Sequence, residues 1–440
     1  MDYLEALDHL DSLINYEVMP RAGAIEGLSL EPMQAFMGAL GDPQLAYPVI
    51  HLTGTNGKGS TARIISSLLV AAGLSVGTYG SPHLQRINER FTWNQREIDD
   101  DELAAVLEQL QALAPLVDAP LSWFELTTAA AFRWFADIAV DVAVIEVGLL
   151  GEWDATNVVD GQVAVVTNIT RDHTDGQGDW RRRIASEKAG IIKPGATLVL
   201  GETDPSLADL WERADAVMLR DRDFGCENDR LAVGGRLVDL RTPEATYDEV
   251  FLPLHGAHQA DNTALALAAC EAFFGRPLAD EIVRDGLANV TMPGRFEVVG
   301  RDPLVVIDGA HNPAGAAATA KTLVHDFDPA GSRILVFGML SGRDPAEVLA
   351  AFAAINPDIV LTVTAPSPRG VPSTELADQA IGMGLAAESC GSVEAAIARA
   401  FAVAAEEDAI LISGSLYVAG EARTRLLPPT ASESRPPEPD

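Results

Sequence analysis

The residues most able to do chemistry lie in GTNGKGST, positions 54–61, between an apolar run at Val49–Leu52 and a helical pattern. A glycine-rich turn from strand to helix aims several backbone N–H groups at one point, and the helix dipole adds positive charge there. Such a point suits phosphate. Thr55, Asn56 and Gly57 supply the turn, Gly54, Gly57 and Gly59 let the backbone approach a ligand, and Lys58 reaches outer phosphates. Ser60 or Thr61 would hold a magnesium ion. The common pattern G-x-x-x-x-G-K-[ST] fails twice, because Leu52 replaces the first glycine and Gly59 separates Lys58 from the hydroxyl. The alternative is a tight turn with an exposed lysine. The chain has only four lysines, Lys58, Lys188, Lys193 and Lys321, so a lysine inside a motif is less of an accident here.

The elements that must position this loop alternate along the chain. Short apolar runs at 47–52, 75–79, 141–147, 162–168 and 197–201 read as strands, with helices at 60–72, 102–114, 123–136 and 181–190. This order predicts a largely parallel sheet covered by helices on both faces. Between 216 and 254 short alternating segments and a Gly-Gly turn predict a β-rich extension, followed by an alanine-rich helix at 257–274. After the turn TMPGRFEVVG, strands at 304–308, 333–338, 358–364 and 409–412 alternate with helices at 313–326, 345–355, 373–383 and 392–405. The reading is therefore two α/β units, 1–295 and 296–426, and a disordered Pro-rich tail at 427–440.

Composition narrows the partners. The chain of 440 residues carries a formal net charge of −33, which disfavours nucleic acid and anionic membranes as partners. Cys226, Cys270 and Cys390 match no disulfide or metal spacing, so a reducing cytoplasm is expected. The N-terminus has acidic residues where an export signal needs a basic head, and the longest apolar stretch, 129–150, is broken by Arg133, Asp137, Asp141 and Glu146.

The departure of GTNGKGS from the common loop is informative, because it resembles the nucleotide loop of the Mur ligase superfamily. Ten further segments narrow the resemblance: GSPHLQRINERF (80–91), WFELTTAAAF (123–132), IEVGLLGEWDATNVV (145–159), TNITRDHTDGQGDW (167–180), EKAGIIKPG (187–195), HQADNTALA (258–266), PGRFE (293–297), DGAHNP (308–313), FGML (337–340) and GSLYVAGEAR (414–423). In this order they are similar to the folylpolyglutamate synthase and dihydrofolate synthase family over nearly the whole chain. The resemblance implies a P-loop central domain with a small β-rich extension, then a Rossmann-like second domain. It implies an ATP-dependent ligase that joins L-glutamate to dihydropteroate or to folate polyglutamates through an acyl phosphate, acting as a monomer on small molecules.

Site residues follow from the same resemblance. Ser81, Glu146 and His173 would hold magnesium or manganese, two ions in all, as befits an oxygen-rich set with one imidazole. Ser81 also fits a helix cap, and His173 a surface turn. Glu146 ends an apolar strand, an expensive place for an unpaired carboxylate. Lys188 would be carbamylated by carbon dioxide, becoming an anion beside the ions; otherwise it is a solvated helix lysine. Lys58, His173 and Lys188 are the catalytic set. Asn262, Arg295, Asp308 and His311 would join the loop in binding ATP, with Arg295 at a hinge whose closure would bring it to the phosphates. The junction at His311 equally fits helix entry through Asn312 and Pro313.

The acyl substrate would meet Ser122, Phe124 and Glu125 and then Trp153, Asp154 and Ala155, with Phe124 and Trp153 offering stacking faces. Ser122 and Glu125 equally fit a capping box. Arg369 and Ser415 are the candidates for the incoming glutamate. Two departures affect substrate choice. Leu150-Gly151-Glu152 stands where the family usually has Gly-Gly-Arg, and Gly342-Arg343 where an Asp-Lys pair is common. The competing readings are a Mur-type ligase for another carboxylate, such as a peptidoglycan precursor, and a P-loop phosphotransferase or nucleotide-gated binding protein. Against the former, the loop begins by residue 54, with no nucleotide-sugar domain ahead of it.

Overall fold

The computed structural model describes residues 1–18, 29–118, 120–171 and 178–427. His173 and positions 428–440 of the expected tail lie outside the described residues. The chain divides into two compact units between Thr291 and Met292.

The first unit is built on an eight-stranded sheet. Its strands are β1 (Val49–Thr53), β2 (Val76–Tyr79), β3 (Phe91–Trp93), β4 (Arg96–Glu97), β5 (Val142–Glu146), β6 (Gly161–Val166), β7 (Thr197–Leu200) and β8 (Ala216–Leu219). They lie in the order β4-β3-β2-β5-β1-β6-β7-β8. All pairs from β2 to β8 are parallel, and β3 and β4 run antiparallel at one edge. Every residue of β1 and β5 is buried, which is why both read as unbroken apolar runs. Register places Leu52 beside Glu146 and Thr53 beside Val166, so the carboxyl ends of β5 and β6 flank the glycine loop.

Helices cover this sheet. Helix Asp100–Leu113 starts where Asp99 accepts from the Glu102 N–H at 2.7 Å, and it buries Leu103, Val106, Leu107 and Leu110 along one stripe. Helix Trp123–Asp137 starts in a capping box between Ser122 and Glu125. A three-stranded antiparallel sheet follows, β9 (Gly225–Ala232), β10 (Gly235–Arg241) and β11 (Thr246–Leu252), in the order β11-β10-β9. Helix Ala257–Phe274 then returns to pack on helix Lys58–Ala71, which also packs on helix Asp280–Ala288.

The second unit has β12 (Glu297–Arg301), β13 (Leu304–Ile307), β14 (Arg333–Phe337), β15 (Ile359–Val363), β16 (Ala387–Gly391) and β17 (Ala409–Ser413). Their order is β12-β13-β17-β14-β15-β16, parallel except for β12. Leu335, Phe337, Phe352, Leu376 and Leu411 are among the residues of its core. β8 falls in the stretch read as a β-rich extension, but it joins the edge of the eight-stranded sheet instead. The short or rim strands β3, β4, β12 and β16 lack the apolar run that marks a central strand, and helix Asp280–Ala288 is also not marked in the sequence.

Candidate active site

The glycine loop is held from the side by the turn after β6. Thr55 N–H donates to the Asn168 carbonyl at 3.0 Å, and Asn56 N–H to Asn168 Oδ1 at 3.0 Å. Thr167 Oγ1 and Asn168 Nδ2 both donate to the Asn56 carbonyl, at 2.6 and 2.9 Å, while Thr170 N–H donates to Thr55 Oγ1 at 3.1 Å. These bonds satisfy loop groups that no helix or strand reaches. The sequence marks Thr167, Asn168 and Thr170 only as the polar run TNIT directly after an apolar strand.

Gly57 enters the helix with φ +84°, and a side chain there would put its Cβ 2.6 Å from Asn262 Oδ1. Only glycine combines that φ with that approach. Asn262 therefore lies against the loop, where its Nδ2 donates to Gln259 Oε1 at 3.0 Å. A cavity of about 70 Å³ opens beside Thr167, Asn168 and Asn262, with His258, Asp261 and Arg220 on its wall. Lys58 Nζ lies over the loop carbonyls, 3.3 Å from Gly54 O and 3.5 Å from Thr55 O. Ser60 and Thr61 are both buried.

Glu146, at the end of β5, is 5% exposed. Its Oε2 accepts from the Ser81 N–H at 3.4 Å and would lie 3.4 and 3.2 Å from Cβ atoms built on Gly59 and Gly80. The structure thus brings Ser81, Glu146 and the start of the loop helix together. A buried carboxylate beside a phosphate-type loop is oxygen chemistry that fits magnesium or manganese, to which Ser81 would add its hydroxyl. Among the described residues no cluster of three His, Cys, Asp or Glu forms, and His173 lies outside them.

Lys188 is 4% exposed, so a solvated helix lysine is not what the fold contains. Its Nζ donates to the Gly54 carbonyl at 2.7 Å, the same oxygen that Lys58 approaches. Two lysine side chains thus meet at one carbonyl of the glycine loop. Next to Lys188, burial and then the Glu152 charge raise the Glu187 carboxyl above its usual range.

The segments assigned to the acyl substrate divide by role. Ser122 Oγ donates to Glu125 Oε2 at 2.6 Å and accepts from the Glu125 N–H at 3.2 Å, so this pair caps its helix. The Phe124 ring lies against the backbone of Gly148, and the Trp153 ring is 45% exposed. Asp154 is buried and accepts from Leu149 N–H at 2.8 Å, Thr156 N–H at 3.0 Å and Thr156 Oγ1 at 2.5 Å, which fixes the turn that holds Ala155. Burial raises the Asp154 carboxyl above its usual range, partly offset by those bonds. His51 in β1 completes the chain: its Nε2 lies 3.0 Å from Thr156 Oγ1. Since Thr156 donates to Asp154, His51 must donate through Nε2 and leave Nδ1 as an acceptor. That Nδ1 is buried with no partner among the described residues. Burial, then Lys193, lower the His51 imidazole to about 3, so it is neutral at ordinary pH.

In the second unit, Asp308 accepts from Phe296 N–H at 2.8 Å, Ala310 N–H at 2.8 Å and Thr319 Oγ1 at 2.7 Å. It ties the Arg295 turn to the loop of His311, and a Cβ built on Gly309 would lie 2.5 Å from Arg295 Nη1. His311 Nδ1 lies 2.8 Å from the Gly309 carbonyl, and Asn312 caps the next helix through the Gly315 N–H at 2.9 Å. Arg369 is buried, with Nη2 donating to the Ser341 carbonyl at 2.8 Å. Burial and the neighbouring Arg343 lower its guanidinium from the usual value, and Tyr417 opposes this. Ser415 caps the helix that carries Tyr417, accepting from its N–H at 3.2 Å.

Comparison with known proteins agrees with this geometry. Residues 122–270 match the Mur ligase middle domain, and residues 294–416 the glutamate ligase domain of Mur ligases. Over 377 residues the chain is 42% identical to the dihydrofolate synthase/folylpolyglutamate synthase of Mycobacterium tuberculosis, covering 79% of this chain and 77% of that protein. The solved structure of Mycobacterium tuberculosis folylpolyglutamate synthase complexed with ADP superposes with a TM-score of 0.90 at 38% identity, over 97% of this chain and 98% of that one. The bifunctional folylpolyglutamate synthase/dihydrofolate synthase of Yersinia pestis, complexed with AMPPNP and a manganese ion, gives a TM-score of 0.85 at 32% identity, over 97% of this chain and 98% of that one. With both domains matched and these identities sustained along it, the chain belongs to the dihydrofolate synthase/folylpolyglutamate synthase family of Mur-type ligases.

Proposed function

We propose that this chain joins the amine of L-glutamate to the carboxylate of dihydropteroate, of a folate, or of both, at the expense of ATP. The observation that carries this reading is the meeting of the half-buried glycine loop and Ser81 with the buried carboxylate Glu146, with Lys58 lying over the loop, in a chain 42% identical to a dihydrofolate synthase/folylpolyglutamate synthase. A carboxylate is a poor acyl donor because oxide is a bad leaving group. Transfer of the γ-phosphoryl group to it gives an acyl phosphate, and attack by the glutamate amine then expels phosphate. The loop N–H groups and Lys58 hold the phosphates in line, and Asn262 keeps the loop in place. Arg295, Asp308 and His311 complete the nucleotide contacts, Arg369 and Ser415 receive glutamate, and the Phe124 and Trp153 rings stack on the acyl substrate.

Ser81, Glu146 and His173 would hold magnesium, with manganese as a substitute and two ions as the expected number; their positive charge offsets that of the phosphates when bound. Lys188 is the site for carbamylation. Loss of a proton from Nζ and addition of carbon dioxide convert a cation at the loop into an anion able to hold a metal or its water. Mass analysis of the intact chain in bicarbonate, and recovery of a Lys188→Ala variant by added short carboxylates, test that assignment. The expected working form is a cytoplasmic monomer. Among the described residues no helix is long and apolar enough to cross a membrane.

The deciding assay supplies ATP, Mg²⁺ and L-glutamate with dihydropteroate in one tube and tetrahydrofolate in another, and reads product mass. A glutamate-sized gain in both tubes marks a bifunctional synthase, and a gain in one assigns the single activity. No gain in either refutes the folate assignment and turns attention to Glu152.

A further inference from the structure

Arg90 is 1% exposed, an expensive place for a cation unless each face of it is satisfied. Its Nη1 donates to Glu17 Oε1 at 3.0 Å and its Nη2 to Glu17 Oε2 at 2.6 Å, a two-pronged match of guanidinium to carboxylate. The Nε–H donates to His83 Nδ1 at 2.9 Å. The guanidinium carbon lies 4.6 Å from the centroid of the Trp123 ring. The backbone takes part as well, since the Arg90 carbonyl accepts from the Gly80 N–H at 3.0 Å.

One residue therefore grips both ends of the segment Gly80–His83, and Ser81 lies between the two grips with its N–H on Glu146. The third contact, Trp123, is the first residue of the helix that presents Phe124. Metal ligands on a short loop are only as well placed as the groups that hold the loop, and loss of such groups typically weakens metal binding about 10- to 100-fold. A lysine could not replace Arg90, because a single ammonium cannot span Glu17 and His83 while lying flat on an indole.

We infer that Arg90 is a positioning residue for the metal site: through Gly80 and His83 it sets Ser81 against Glu146, and through Trp123 it ties that setting to the substrate helix. The inference rests on Ser81 and Glu146 being metal ligands, and the test separates the two ideas. The full-length chain is titrated with AMPPNP at a series of Mn²⁺ concentrations, and the Mn²⁺ needed for half-maximal nucleotide binding is read by calorimetry. ADP binding in the presence of a chelator is the control.

Arg90→Lys should raise the required Mn²⁺ about 10-fold or more. His83→Leu, at a partly exposed residue, removes the side-chain grip but leaves Arg90 on Glu17 and Trp123, and should raise it several-fold. Metal-free ADP binding should stay within about twofold in both, because the glycine loop is untouched; that split is what a merely structural role would not produce. If Arg90→Lys does not fold, His83→Leu decides. An unchanged Mn²⁺ requirement in folded His83→Leu, or an equal loss of metal-free ADP binding, overturns the inference while leaving the metal site intact. A Mn²⁺ requirement already absent in the unaltered chain overturns the metal site and the inference with it.

Discussion

Acidification should weaken the first unit through His51, and the amount can be worked from its surroundings. The folded imidazole is held down to about 3, chiefly by burial, against about 6.5 in the unfolded chain. Between these two values the unfolded chain binds a proton that the folded chain refuses. The contribution of neutral His51 is complete above the unfolded value and is lost as pH falls toward the folded one. At about pH 5 the loss is about 1.5 units at 1.36 kcal/mol each, or about 2 kcal/mol. His51→Gln keeps an N–H donor in reach of Thr156 and removes the titration, so it isolates this contribution. Asp154, raised by burial, acts with the opposite sign, but it is present in both proteins and cancels in the difference.

The assay is urea unfolding at about pH 7.5 and about pH 5 at fixed ionic strength, followed by tryptophan fluorescence. All six tryptophans, Trp93, Trp123, Trp134, Trp153, Trp180 and Trp211, lie in the first unit, so the signal reports that unit alone. The unaltered chain should lose about 2 kcal/mol more than His51→Gln between the two conditions. Equal losses would refute the reasoning and mean that the imidazole takes up a proton in place.

Other outcomes follow from the same geometry. Gly57→Ala forces a side chain into positive φ and against Asn262, so nucleotide binding measured by calorimetry should weaken at least about 10-fold, with about 1 kcal/mol lost in a urea melt. Glu146→Gln removes the buried negative charge at the metal site; the Mn²⁺ needed for AMPPNP binding should rise at least about 10-fold without loss of thermal stability. The net charge of −33 should make the chain more stable in salt, with the thermal midpoint rising as the screening length shortens from about 10 Å at 0.1 M to about 3 Å at 1 M; a flat response would mean that the acidic residues repel one another too little to matter.

The central strands were legible because burial on both faces leaves an unbroken apolar run, as in β1 and β5. β4 is two exposed residues, Arg96 and Glu97, and owes its existence to β3 alone, so no local pattern announces it. β16 is half-exposed and reads Ala-Glu-Ser-Cys-Gly, with neither alternation nor β-branched residues. In the site, the glycine loop declared itself because a positive φ and a close approach demand glycine. The grip of Thr167, Asn168 and Thr170 did not, because it joins positions more than a hundred residues apart and depends on which strands become neighbours. Arg90 was likewise hidden: its partners Glu17, His83 and Trp123 converge only once the sheet is folded. The buried state of Lys188 and the capping role of Asp154 are similar cases, since the sequence shows the residue type and only the fold shows what surrounds it.

The bonds between Thr55–Asn56 and Thr167–Thr170 also bear on synthesis. The loop sits near the start of the chain, yet its shape depends on side chains about 110 positions later, delivered only when β1 has paired with β6. Contacts of such sequence separation form late in folding. A chain still emerging from the ribosome therefore has its GTNGKGS stretch without a phosphate cradle until Thr170 is made and the strands have met. Nucleotide capture is thereby postponed until the chain has grown past Thr170, more than a hundred residues beyond the loop itself.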